Sequence, residues 1–356
     1  MSDYDYDYLI VGQGIAGTSL AFHLMDVGKK VLIVHDSTLP SSSRVAAGIF
    51  NPLTGKKLVK TWLADDLFPY ARQFYTGLED RLGANFVHEA PIYRPFRSIA
   101  EQNTYLAQTA DPKIASYVKQ TGKPADLTDY VHAAFGGLEV IRAGWIDLPV
   151  LLDYSRQYFI DNQMFKDEAF DVNALVVTDK QVEWKGFTFG KVVFCQGFKA
   201  LENDFFNWLP FTPVKGQILE ITTEKPVQNY IVNQGIFMFP IRENVCKVGA
   251  TYSWDPLDWK ATKEATMELD EKLGALLKTG YQVTSEMAGI RPSVKDRRPL
   301  IGTHPENDKV CIFNGLGTKG ITLAPFFANE LVQHLEKGKE LNPLVNIQRY
   351  FSLYFR

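Results

Sequence analysis

"YLIVGQGIAGTSLAFHLMDVGKKVLIVHD", residues 8–36, reads as strand, glycine turn, helix and strand. The run YLIV is apolar at every position and stops at Gly12, the signature of a parallel strand buried on both faces. The next stretch carries apolar residues at helical spacing and ends at Gly28. KVLIV is a second buried strand, so the first forty residues form a βαβ unit. Gly12, Gly14 and Gly17 make G-x-G-x-x-G across the turn, with Ile15 and Ala16 inside it. The first glycine permits the tight turn, the second lets backbone approach a pyrophosphate, and the third lets helix pack on strand. The helix N-terminus then offers unpaired N–H groups to phosphate. In this strand–turn–helix context the motif predicts a Rossmann-type dinucleotide site.

The motif does not say which dinucleotide. The end of the second strand usually carries an acid for the ribose. Here it carries His35, followed by Asp36. Loss of the acid suits NADP, whose 2′-phosphate would repel a carboxylate, yet no arginine follows before Arg44. FAD presents free ribose hydroxyls, with which a neutral imidazole exchanges hydrogen bonds. Adjacent strand residues face opposite ways, so Asp36 replaces the acid only if the strand ends or bulges there. Both nucleotides stay open on this stretch alone, as does a strand end that touches neither.

The whole chain narrows the class. It has 356 residues, 46% hydrophobic and 22% charged, with a net charge of −3. That is ordinary for a globular protein and lacks the basic surplus of a nucleic-acid-coating one. No apolar run is long enough to span a bilayer, and the acidic start MSDYDYDY does not resemble a targeting signal. The three cysteines lie singly in the apolar runs VVFCQG, NVCKVGA and DKVCIFNG, without metal or redox spacing. They read as small core residues of a protein in a reducing cytoplasm. The histidines show no ligand spacing, so no metal site is expected. The aromatic run DFFNWLPF, 204–211, is expected to pack in a core or domain interface.

Further along, residues 59–83 read as a helix interrupted at Pro69. GWIDLPVLLDYSRQYFI, 144–160, reads as a helix started by Asp147 and Pro149. FVHEAPIYRPF, ITTEKPVQNYIVN, GIFMFPI and VCKVGATYSW read as antiparallel strands. KVVFCQG and KVCIFNG read as parallel core strands. The second is followed by a glycine turn and the helix APFFANELVQHLEK, with Pro325 in its first turn. The fold class is therefore α/β with two domains. The nucleotide domain is discontinuous, 1–84, 139–208 and 288–356. A mainly antiparallel β domain, 85–138 and 209–287, is inserted into it.

AGIRPSVKDRRPLIGTHP, 288–305, and VCIFNGLGTKGITLAPFFANELVQHL, 310–335, resemble the closing segment of the D-amino-acid oxidase superfamily. The glycine motif, SSSRVAAGIFNP, GWIDLPVLL, VVFCQGFKA, PVKGQILEI and VGATY agree in order, so the resemblance spans nearly the whole chain. It is loosest between Trp62 and Phe135. The resemblance implies an FAD enzyme that oxidises the C–N bond of an amine or amino acid. Hydride would pass to flavin N5, leaving an imine, with oxygen or another acceptor restoring the flavin. GIRPSV lacks the cysteine through which some relatives attach flavin, which implies non-covalent FAD.

The resemblance places Ser42, Ser43, Arg44, Ala46, Ala47 and Gly48 beside FAD, with Gly197 of VVFCQGFKA. In NGLGTKGITLAP, Gly315, Gly317, Thr318, Lys319, Gly320 and Ile321 would meet the flavin. A helix end there, and the Lys319 charge, would stabilise the anionic edge of reduced flavin; otherwise Lys319 is an exposed loop lysine. Arg291 matches the arginine that holds the substrate carboxylate, unless it pairs with a loop acid such as Asp296. Arg297 and Arg298 read as a solvated face. Tyr252, Phe50 and Asn51 are cavity candidates with core packing as the rival. Of Arg94 and Arg97, beside Tyr93, at most one should enter the cavity. Lys215 reads as structural. The expected partner is a small amine or amino acid bearing a carboxylate, with no nucleic acid and no membrane. Three rivals stand: a flavin enzyme for a modified tRNA base, an NADP-dependent enzyme, and a non-catalytic flavin-binding protein.

Overall fold

The computed structural model describes residues 4–55, 57–121, 127 and 129–355; the first three residues of the acidic N-terminal stretch lie outside them. The opening βαβ unit forms as its pattern dictates. Strand Tyr6–Val11 pairs in parallel with Val31–His35, Leu9 opposite Leu32. On its other side it pairs in parallel with Phe187–Phe194. The sheet extends through Phe165–Asp167 at one end and Asn307–Asn314 at the other. Helices Ile15–Asp26, Ala64–Leu82, Leu148–Asp161 and Gly320–Lys337 cover one face through a core that includes Leu20, Leu67, Leu151 and Phe327. The opposite face packs Trp184, Phe206 and Tyr350.

A second eight-stranded sheet runs in the order Tyr281–Arg291, Val214–Thr223, Val245–Gly249, Phe237–Arg242, Ile231–Asn233, Ile92–Pro95, Gly137–Val140, Val118–Thr121. All its pairings are antiparallel except that of Ile231–Asn233 with Ile92–Pro95. Helix Lys263–Leu276 closes one face, burying Leu269 and Leu273 against Leu219 and Val248. The strands Gly137–Val140 and Tyr281–Arg291 straddle the expected joints at 139 and 288. FVHEAPIYRPF is two strands in two sheets. Val87–Glu89 pairs with Gly144–Ile146 in a small three-stranded sheet, and Ile92–Pro95 belongs to the large one.

Two proline expectations are corrected. The helix Ala64–Leu82 runs through Pro69 without interruption. Pro69 and Asp65 are exposed, so the Asp65 carbonyl that loses its amide donor faces water. The closing helix starts at Gly320, four residues before the expected Ala324, which puts Pro325 inside it. The carbonyl deprived of a donor is that of Ile321, and it is buried. It accepts a hydrogen bond from the Tyr75 hydroxyl at 2.8 Å. A tyrosine 246 residues away thus supplies the bond that the proline removes.

The aromatic run 204–211 packs internally. Phe206 is fully buried, and Trp208 meets Phe351 and Phe355 of the C-terminal segment edge-on. All three cysteines are free and buried. Among the described residues, no helix is long and apolar enough to cross a membrane.

Candidate active site

One cavity of about 650 Å³ runs from the end of the second strand, across the glycine turn, to the large antiparallel sheet. Its wall at the turn is built for close approach. Gly12 has φ +105°, and a Cβ there would stand 2.6 Å from the Cys195 carbonyl oxygen. A Cβ on Gly17 would stand 1.9 Å from the Gly12 carbonyl oxygen. Gly14 caps helix Ile15–Asp26 with no side-chain hydrogen bond, leaving the helix end open toward the cavity. The Ile15 amide donates to Ser43 Oγ at 3.1 Å, and Ser42 Oγ donates to the Ile290 carbonyl. The segment 41–48 is thereby tied to the glycine turn on one side and to the strand bearing Arg291 on the other.

Of the residues singled out in the sequence, Gly12, Gly14, Ile15, Ala16, His35, Asp36, Ser42, Ser43, Ala46, Ala47, Gly48, Gly197, Tyr252, Arg291, Gly317, Thr318, Gly320 and Ile321 line this cavity. Gly17, Arg44, Gly315 and Lys319 do not. Gly17 acts behind the wall through the helix contact just described. Arg44 turns to an ion pair with Asp153. Lys319 points its Nζ to Thr61 Oγ1 at 3.2 Å, and burial, with Arg298 and Arg297 nearby, lowers its pKa. It is therefore neither on the cavity wall nor a free surface lysine. Arg298 is half-buried over the Trp62 ring at 4.1 Å, in place of the expected solvated face, while Arg297 is exposed. Arg94 is buried against the Gly55 carbonyl and Tyr105, and Arg97 donates to the Gln234 carbonyl, so neither enters the cavity.

The strand ends at His35, and both His35 and Asp36 line the cavity. Asp36 accepts from the amide and hydroxyl of Thr38. Burial, then the neighbouring Arg156 and Arg44 charges, pushes the His35 pKa down from 6.5 to about 4, against the pull of Asp167 and Asp36. The ring is neutral at physiological pH and keeps one donor and one acceptor for hydroxyl groups. The sign follows from linkage. Between pH 6.5 and about 4 the unfolded chain binds a proton here that the folded chain refuses. The stability from this ring is complete above pH 6.5 and is lost as pH falls toward about 4. His35→Gln, which does not titrate, is expected to flatten that part of the apoprotein's Tm against pH. A wild-type minus variant difference in Tm that is constant from pH 7 to pH 5 would refute this assignment.

Other site residues carried no sequence signal. Gln13 is buried, donates to the Leu152 carbonyl and accepts from Arg156 Nε, which fastens the glycine turn to helix Leu148–Asp161. The other end of that guanidinium, Arg156 Nη2, is buried with no hydrogen-bond partner among the described residues. Asn314 Nδ2 donates to the Gly197 carbonyl, joining two strand ends beneath the cavity.

At the far end, Arg291 closes strand Tyr281–Arg291. Its guanidinium lies against the Tyr252 ring at 4.6 Å and donates to the carbonyls of Lys215 and Thr251, each at 3.4 Å. Asp296 pairs with Arg349 instead, and among the described residues no acid forms an ion pair with Arg291. Burial lowers its pKa. Gly216 makes room for it, since a Cβ there would fall 2.1 Å from an Arg291 terminal nitrogen. The wall beside it is apolar, with Ile92, Ile218, Ile231, Ile236 and Phe237, and its other polar groups include Asn51 and Asn233. A bare glycine turn, an open helix end and a neutral imidazole at the end of the second strand fit a dinucleotide at one end. The uncompensated arginine at the other end fits an anion.

Comparison with known proteins bears on the cofactor. Residues 7–334 match the family model DAO, described as FAD dependent oxidoreductase. Glycine oxidase of Bacillus subtilis (strain 168) is 30% identical over 369 aligned residues, covering 95% of this chain and 94% of that protein. The crystal structure of glycine oxidase from Bacillus cereus ATCC 14579 superposes with a TM-score of 0.78 at 22% identity, covering 94% of this chain and 96% of that one. Iminodiacetate oxidase from Chelativorans sp. BNC1 superposes with a TM-score of 0.75 at 20% identity, covering 96% and 98%.

Proposed function

From the premise that the chain belongs to the FAD-dependent oxidoreductase family, we propose that it oxidises the C–N bond of a small amine or amino acid with one carboxylate and an apolar remainder. The observation that carries the reading is Arg291, a half-buried guanidinium on the cavity wall with no ion-pair partner among the described residues. FAD, held by the glycine turn and segment 41–48, would supply a two-electron acceptor for oxidation of the substrate's C–N bond. The protein's part is binding and orientation. Arg291 takes the carboxylate as a fork, fixing two atoms of the substrate and with them the direction of its α C–H bond. Tyr252 limits where the guanidinium lies. The aliphatic wall excludes water from the remainder of the substrate.

The charge inventory sets the class. The other charged residues lining the cavity are Asp36, Lys199, Glu202 and Asp204, with the neutral His35, all from nucleotide-domain segments. Among the described residues, a second carboxylate has no second cation on the apolar wall, and an ammonium side chain has no acid there. Anaerobic bleaching of the flavin reads substrate reduction directly. N-methylglycine, proline and the alanine enantiomers are to be compared with iminodiacetate, aspartate and lysine. Bleaching by members of the first group alone is expected. Faster bleaching by the diacids or by lysine would overturn the class, and no bleaching by any amine would overturn the oxidase reading.

A further inference from the structure

Lys215 stands on the strand next to Arg291 and is 4% exposed. On strand Val214–Thr223, Gly216 and Ile218 face Arg291 and the cavity, whereas Lys215 and Gln217 point to the other face. There they hold one segment. The Lys215 backbone exchanges two hydrogen bonds with Ser253, and its Nζ meets Asp258 Oδ1 at 2.5 Å. Gln217 receives the Thr262 amide and donates to the Thr262 carbonyl and Thr266 Oγ1. The segment between, 251–262, carries two of the three groups that meet Arg291, the Thr251 carbonyl and the Tyr252 ring; the third is the Lys215 carbonyl. It also carries Trp259, which lines the cavity and meets Phe198 of the nucleotide domain edge-on at 6.5 Å. Tyr252 and Trp254 are 59% and 68% exposed, so packing does little to hold this part of the segment.

We propose that the Lys215–Asp258 pair is a clasp that sets segment 251–262 over the cavity mouth, making Lys215 a positioning residue for Arg291. This rests on the reading of Arg291 as the carboxylate site. The Lys215 side chain does not line the cavity and reaches the chemistry only through this segment. With the clasp open, Arg291 keeps its charge and its bonds to the Lys215 and Thr251 carbonyls, the latter held by Gln217, but loses the fixed Tyr252 ring. Carboxylate affinity should therefore fall while the reaction of reduced enzyme with oxygen does not change.

The test uses FAD-loaded enzyme, with acetate binding read from the flavin absorbance. Lys215→Met and Asp258→Asn are each expected to weaken acetate about tenfold or more. The double variant should be no worse than either single change, as for two ends of one interaction. Asp258→Glu should restore most of the affinity. Amide hydrogen exchange across 251–262 should accelerate in both single variants, with the oxygen reaction of reduced enzyme within about twofold of wild type. If Lys215→Met fails to hold FAD, Asp258→Asn carries the test, because its carboxylate is 42% exposed. Unchanged exchange and acetate binding in Asp258→Asn overturn the clasp. So does a Lys215→Met enzyme that reacts more slowly with oxygen at unchanged acetate affinity. If wild-type enzyme binds no acetate, the reading of Arg291 falls, and hydrogen exchange alone decides the clasp.

Discussion

Arg291→Met is expected to lower kcat/KM for a carboxylate-bearing amine by about 30–300-fold with FAD content unchanged. Truncating one partner of a buried, hydrogen-bonded charge pair costs about 2–5 kcal/mol, and each 1.4 kcal/mol is tenfold. The lower half of that range is appropriate, because Arg291 is half-buried and water can enter the space it leaves. Arg291→Lys keeps a charge but not the planar fork, so it should recover only part of the loss. The fold should not suffer. Arg291 has no ion-pair partner among the described residues, so its removal strands no carboxylate in the free protein. A lowered pKa marks the guanidinium as a charge that burial disfavours. Tm of the variant should therefore equal or exceed that of wild type. A variant within threefold of wild-type kcat/KM would refute the carboxylate assignment, and a large fall in Tm would show that Arg291 holds the fold instead.

The parts of this site that were legible in sequence are those whose cause is local. Strand Tyr6–Val11, helix Ile15–Asp26 and strand Val31–His35 each follow from a contiguous pattern, and the glycine spacing acts within six residues. What sequence misplaced has a cause far along the chain. Pro325 fits inside its helix only because Tyr75 reaches the Ile321 carbonyl. Lys319 leaves the cavity wall because its Nζ meets Thr61, which lies just after strand Val59–Lys60 where the sequence read the start of a helix that begins at Ala64. Gln13 occupies a variable position of a familiar motif, and its role exists only once Arg156 of a later helix closes on it. Lys215 looked structural in isolation, and its side chain does face away from the cavity. Its importance lies in Asp258, 43 residues later, and in what the segment around Asp258 does to Arg291.

Gly17→Ala is expected to release FAD and lower Tm by about 4 °C or more. The added Cβ would lie 1.9 Å from the Gly12 carbonyl oxygen and 3.3 Å from an Ile10 methyl group. The first is backbone, so no rotamer change relieves it. Either the glycine turn opens or helix Ile15–Asp26 moves off the sheet. That helix buries ten of its twelve residues, which makes its displacement costly. Overpacking costs about 1–3 kcal/mol when side chains can adjust, and a backbone clash belongs at the top of that range or above. For a chain of 356 residues each kcal/mol is about 1–2 °C. Loss of FAD then removes its own stabilisation, since a ligand that binds only the folded state stabilises it by mass action. Gly14→Ala separates packing from cofactor contact. Its nearest neighbour is Ser43 Oγ at 3.1 Å, the end of a side chain that can rotate. That variant should keep its apoprotein Tm within about 2 °C. Its FAD affinity should fall if backbone at Gly14 approaches the pyrophosphate. The flavin-to-protein absorbance ratio after gel filtration, with Tm measured with and without added FAD, distinguishes the two. Stoichiometric FAD and an unchanged Tm in Gly17→Ala would mean that the turn is looser than the packing of helix on strand implies.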